Sequence, residues 1–134
     1  MDNIKTFDLY VGKILALLYK EFPCKCELNY KSEFGEVNAK IMFATLIWLK
    51  DSGFIDFQST INDDFIYNAI LSAKGLELLK QKPKSLENSI SFGEWLVSSA
   101  NSAKDEVIRK SAGEVLHYSL GFLVKLFACK EMIK

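Results

Sequence analysis

One block of this chain, residues 54–71, has sustained strand character, and it is too short to build more than a small sheet in an otherwise helical protein. Phe54-Ile55-Asp56-Phe57-Gln58 and the run from Phe65 to Leu71 are rich in β-branched and aromatic residues and flank the polar stretch Ser59 to Asp64, the pattern of a β-hairpin. On both sides of it the apolar residues recur at helical steps. Ile4, Phe7, Val11, Ile14, Leu15 and Leu18 predict an amphipathic helix from Ile4 to Phe22, with Asp2 and Asn3 as candidate N-caps and Pro23 closing it. Ile41, Ala44, Thr45, Trp48 and Leu49 mark one face of a second helix over about Val37 to Ser52, with Gly53 where a left-handed C-cap is expected. Between these helices Cys24 to Gly35 is short and polar, with Glu27 to Tyr30 as a brief strand. Ser72 caps a third helix that runs through Lys82 and stops at Pro83. The expected fold class is mainly α with a small β-hairpin.

Residues Pro83 to Asn88 are polar and contain the second of two prolines, so they connect a first unit, residues 1–82, to a C-terminal helical segment, residues 83–134. Ser91-Phe92-Gly93-Glu94 has capping-box spacing and starts that segment. Ser98 to Ser102 and Gly113 are its weak points, and one broken helix or a helical hairpin both fit. From Val115 to Phe127 the apolar residues exceed what a single helical stripe places against a neighbour. The cover is either the chain's own first unit together with the Trp95 helix or a second copy in a homodimer, with the dimer slightly favoured, and Trp95, Leu116, Phe122, Leu123 and Phe127 line that core or dimer face. A core of Phe7, Ile14, Trp48, Ile55, Leu71 and Leu76 is expected for the first unit. The two segments together are read as one compact domain.

Charge narrows the function classes. Seventeen basic and seventeen acidic residues cancel, so no global field draws in nucleic acid or an anionic membrane. Arg109 is the sole arginine, and lysines lack the bidentate fork that reads phosphate or guanine. Three cysteines, Cys24, Cys26 and Cys129, do not all pair within one chain, and the acidic start Met1-Asp2-Asn3 does not resemble a secretory signal. A cytoplasmic setting is therefore expected. The Val115 to Cys129 stretch contains His117 and Lys125 and falls short of the roughly 20 apolar residues of a membrane span, so no membrane partner is expected.

The stretch from Thr45 to Ile55, followed by the hairpin and then Leu71-Ser72-Ala73-Lys74-Gly75-Leu76-Glu77-Leu78-Leu79, resembles winged helix-turn-helix proteins over about residues 4–82. In that superfamily a helix ends in a glycine, an aromatic or aliphatic pair opens the wing, and a leucine, hydroxyl, lysine, glycine, leucine phrase starts the next helix. The resemblance implies a winged-helix-like N-terminal unit, and it assigns the wing to residues 59–64. It makes the Val37 to Ser52 helix a DNA reader, with Asn38, Lys40 and Thr45 nearest its exposed start. The short helix that usually precedes the reader has only Tyr30 to Glu36 to occupy.

No chemical constellation points to an enzyme or to a cofactor or metal. Cys24 and Cys26 have one residue between them and no second pair or nearby histidine. His117, the one histidine, lies in an apolar run and is expected in the core or an interface, without a nucleophile partner. Asp63-Asp64 and Asp105-Glu106 are sequence neighbours that diverge on a turn or helix. The wing tip carries Asn62, Asp63 and Asp64, and residues 1–82 hold ten lysines against eleven acids, a net charge of minus one. Both disfavour DNA. The preferred reading is a non-catalytic protein-binding module with Asn62, Asp63 and Asp64 complementing a basic partner. Its concrete form is an immunity or antitoxin protein that neutralises a nuclease toxin, by analogy in size, arginine-poor composition and lack of catalytic groups with inhibitors of contact-dependent growth-inhibition toxins. The alternative is a DNA-binding transcriptional regulator that dimerises through its C-terminal helices.

Overall fold

Helix α1 (Asn3–Glu21) is the element around which the others pack. The structure, a computed structural model, describes the backbone of residues 2–29, 34, 38–59, 65–82, 90–102 and 104–132, and the side chains of these residues except 59, 65 and 120–132. The Asp2 carboxylate starts α1 by accepting from the Lys5 backbone N–H at 2.8 Å. Leu9, Tyr10, Val11, Ile14, Leu15, Ala16 and Leu18 are buried and spread around the whole circumference. A helix that is apolar all round is covered all round. Its cover is α2 (Ala39–Asp51), the central strand β3 (Phe65–Leu71), and two helices from the C-terminal segment, α4 (Phe92–Asn101) and α5 (Asp105–Met132). The expected single stripe fails at the first turns, where Ile4 is 71% exposed and Phe7 is half-buried.

The hairpin is present as β2 (Ile55–Ser59) and β3, and β1 (Cys26–Asn29) adds a third antiparallel strand in the order β1-β3-β2. Ile70 pairs with Asp56 and Tyr67 with Gln58, so β3 carries one extra residue against β2. Asn68 lies within that bulge at φ 55°, a left-handed conformation that asparagine tolerates, and its amide donates to Gln58 Oε1 at 3.1 Å.

Helix α3 (Ala73–Lys80) follows directly, and its first turn is clasped to the end of α2. The Ser72 hydroxyl accepts from Gly75 N–H at 3.0 Å, and Ser72 N–H donates to the Phe54 carbonyl at 3.0 Å. Lys74 Nζ donates to the Ser52 carbonyl at 2.8 Å and lies 4.9 Å from the centre of the Phe54 ring. Gly53, at φ 84°, turns the chain between these partners. The serine, lysine and glycine of the Leu71 to Leu79 phrase therefore serve local structure.

In the C-terminal segment the alternative of a helical hairpin is realised: α4 ends at the expected weak point, whereas α5 passes through Gly113 without interruption. The capping box is formed, with Ser91 Oγ accepting from Glu94 N–H at 3.1 Å and Glu94 Oε1 accepting from Ser91 N–H at 3.4 Å. Small residues set the helix crossings. A Cβ on Gly12 of α1 would lie 2.6 Å from Ile108 Cγ2 of α5, and the buried Ser99 and Ser111 hydroxyls of α4 and α5 meet at 2.9 Å.

Of the six residues expected in the core, Ile14, Ile55 and Leu71 are buried, Phe7 and Leu76 are half-buried, and Trp48 is 44% exposed. The placement of Trp48 is a correction with a rotational cause. The inward residues of α2 are Met42, Thr45, Leu46 and Leu49, so the helix is turned by about one residue from the expected face. Among the described residues no helix is long and apolar enough to cross a membrane.

Candidate functional site

The rotation of α2 creates the most distinctive surface among the described residues. Asn38 caps the helix, its side-chain oxygen accepting from Ile41 N–H at 3.2 Å, and its own backbone N–H donates to the Tyr10 hydroxyl of α1 at 2.8 Å. With Met42, Leu46 and Leu49 anchored in the core, the opposite side presents Lys40, Phe43, Ala44, Ile47, Trp48 and Asp51. Phe43 is 38% exposed, and the Trp48 ring packs edge-on to Phe7 at 5.1 Å between centroids. Ile4 lies one turn before Phe7 and extends the apolar surface along α1. A groove of about 490 Å³ runs between the two helices, lined by Asn3, Phe7, Asn38, Lys40, Ala44 and Trp48 among others. The other lysine of α2, Lys50, turns away to the Phe57 carbonyl at 2.8 Å and to Asp56 at 3.8 Å.

This arrangement separates the residues expected at a DNA contact. Lys40 is exposed, but Asn38 is engaged as the cap, and Thr45 is buried with its hydroxyl donating to the Ile41 carbonyl at 2.7 Å. Thr45 is thus corrected from the exposed contact that the resemblance implied to a core position, its hydroxyl being satisfied within the helix itself. Asn62, Asp63 and Asp64 lie outside the described residues. Trp95 is half-buried and stacks on Phe92 at 6.3 Å, and Leu116 is half-buried against the core. Phe122, Leu123 and Phe127 lie on the helical backbone of α5, beyond the described side chains. His117 is exposed, which removes it from the core. Among the described residues no cluster of three or more His, Cys, Asp or Glu side chains converges as a metal site would require. Cys24 is an exposed free thiol. Asp105 pairs with Lys13 at 3.9 Å and Glu106 with Arg109.

A second groove, about 400 Å³, lies between α1 and the α4–α5 hairpin, with Lys13 and Lys20 beside Leu17, Phe34, Ala100 and Ile108. Farther along the α1–α5 seam Asp8 faces the backbone of Gly113, where a Cβ would lie 3.9 Å from its carboxylate. Burial pushes the Asp8 carboxyl above its ordinary range, Arg109 pulls it down and Asp2 pushes it up, burial being the largest effect. A raised folded-state value favours the protonated form, so the contribution of this group to stability is fully present below the ordinary value of 3.8 and is lost as pH rises through the folded value. Asp8→Asn is therefore expected to raise the urea midpoint at pH 7, with the advantage shrinking as pH falls towards 3.8. A variant less stable than wild type at pH 7 contradicts this.

No protein-family model matches the chain, and no curated protein or solved structure matches it.

Proposed function

We propose that the protein is a non-catalytic protein-binding module that docks through the exposed side of α2 and the first turns of α1. The observation that carries this reading is the pair Phe43 and Trp48, 38% and 44% exposed, on a helix whose other side is locked in the core. Aromatic side chains on a rigid element supply large contact area at little entropic cost, and they dominate the energetics of protein interfaces. The order α2, β2, β3, α3 and the glycine turn after α2 support a winged-helix-like scaffold for this face. In its concrete form the module is an immunity or antitoxin protein, with Asp63 and Asp64, beside the polar Asn62, as the acidic complement of a basic toxin domain.

The alternative, a DNA-binding regulator, retains Lys40 as the one α2 cation with no ionic partner among the described residues, since the exposed Lys50 is engaged by the Phe57 carbonyl and Asp56, and the surface around Lys40 is apolar. Duplex affinity scales with the cations presented. The purified protein is therefore expected to show no salt-sensitive, submicromolar binding to genomic DNA. Affinity capture from the native host with wild type and Trp48→Lys tests the docking reading. A partner retained by the first and lost by the second supports it, and equal retention by both removes α2 from the interface.

A further inference from the structure

The exposed side of α2 is self-complementary when its direction is reversed. Apart from Lys50, which is exposed but turned to the Phe57 carbonyl and Asp56, it reads in chain order Lys40, Phe43, Ala44, the half-buried Ile47, Trp48, Asp51. Paired from the ends inward, these are a cation with an anion, an aromatic with an aromatic, and a small apolar residue with a larger one. Every pair is centred on the same point, between Thr45 and Leu46. Lys40 and Asp51 are about three helical turns apart, so they lie on one line of the helix about 16 Å from each other. Neither has an ionic partner among the described residues.

We propose that this face is covered by a second copy of the same chain, with the two α2 helices antiparallel about a two-fold axis through their midpoint. The inference rests on the docking surface proposed above and names its occupant. Two-fold symmetry sets residue i against residue j and j against i. Lys40 then comes level with Asp51 of the second copy, Asp51 with its Lys40, and Ala44 with its Ile47, while Phe43 and Trp48 close the two flanks. Charge selects the direction, because a parallel pair would oppose Lys40 to Lys40 and Asp51 to Asp51. Charge also selects the occupant. An identical reversed helix matches one cation and one anion three turns apart, whereas a surface of a single charge sign attracts one of the two and repels the other.

The test is charge exchange, read by sedimentation equilibrium at low salt. Both positions are exposed, so reversal leaves the core untouched. Wild type is expected to be dimeric, and K40D and D51K are each expected to weaken the dimer by at least about tenfold, because every substitution acts twice across the axis. Mixing the two weakened variants is expected to restore a 1:1 heterodimer, since the doubly acidic α2 face of K40D then meets the doubly basic face of D51K. The double variant K40D/D51K is expected to dimerise like wild type, because the two charges are exchanged and still opposite across the axis. A wild-type dimer that both single variants leave unchanged, or single variants that do not recover on mixing, overturns the inference. A wild-type monomer also overturns it. If Trp48→Lys then still loses a heterologous partner, the docking surface stands without a second copy; if it loses none, both readings fall.

Discussion

Replacing Gly75 by alanine is expected to destabilise the protein by about 3 kcal/mol, the overpacking of a site with no room to relax. The added Cβ would lie 2.0 Å from the Phe54 carbonyl oxygen and 2.9 Å from its carbon. Both are backbone atoms, so no rotamer change relieves the contact. The same carbonyl accepts the Ser72 N–H, and Gly75 N–H is the donor to the Ser72 hydroxyl. Moving α3 away to accommodate a methyl therefore strains the clasp that joins it to α2. Gly53→Ala provides a contrast, because there the strain is conformational: φ is 84° and the nearest atom to a Cβ is the flexible end of Lys74 at 3.4 Å. Its expected cost is about 1 kcal/mol. Urea titrations of the two variants check the order, and a Gly75→Ala loss below about 1 kcal/mol contradicts the packing described.

Trp48→Lys is expected to separate stability from association. The side chain is 44% exposed and its main packing partner is the half-buried Phe7, so the stability change is expected to stay within about 1 kcal/mol. Association through the α2 face is expected to weaken by about 100-fold, the scale of a central aromatic anchor. Leu46→Ala, on the buried side of the same helix, is expected to do the reverse: a loss of about 2–5 kcal/mol in stability from its cavity. Denaturant titrations and sedimentation on the same preparations distinguish the two sides of α2. A Trp48→Lys variant that unfolds, or that associates like wild type, contradicts the assignment.

The elements that sequence reasoning recovered are those governed by local chemistry. Asp2, Ser72 and Ser91 cap helices as their hydroxyl or carboxylate oxygens dictate, and the hairpin follows from the aromatic and β-branched runs around residues 59–64. What local pattern left undecided was rotation. Helix α2 offers two overlapping apolar stripes, the expected Ile41-Ala44-Thr45-Trp48-Leu49 and the alternative Met42-Thr45-Leu46-Leu49, about one residue of rotation apart, and periodicity alone does not rank them. The choice is tertiary: the second stripe meets the core while the Tyr10 hydroxyl pins the start of the helix. A signal was nonetheless present, because Lys40 and Asp51 lie on the same line of the helix as the first stripe's side and mark it as outward. His117 gives the same lesson from the other direction, since an apolar run around a residue does not fix which way that residue faces.

The most direct test of the docking surface is the environment of Trp48 itself. In a Trp95→Phe background Trp48 is the one remaining indole, and its emission maximum and acrylamide quenching report its access to water. Between nanomolar and tens of micromolar protein, a blue shift and a fall in quenching are expected as the second copy covers α2. Emission and quenching that remain those of a water-exposed indole at every concentration would contradict coverage by a second copy.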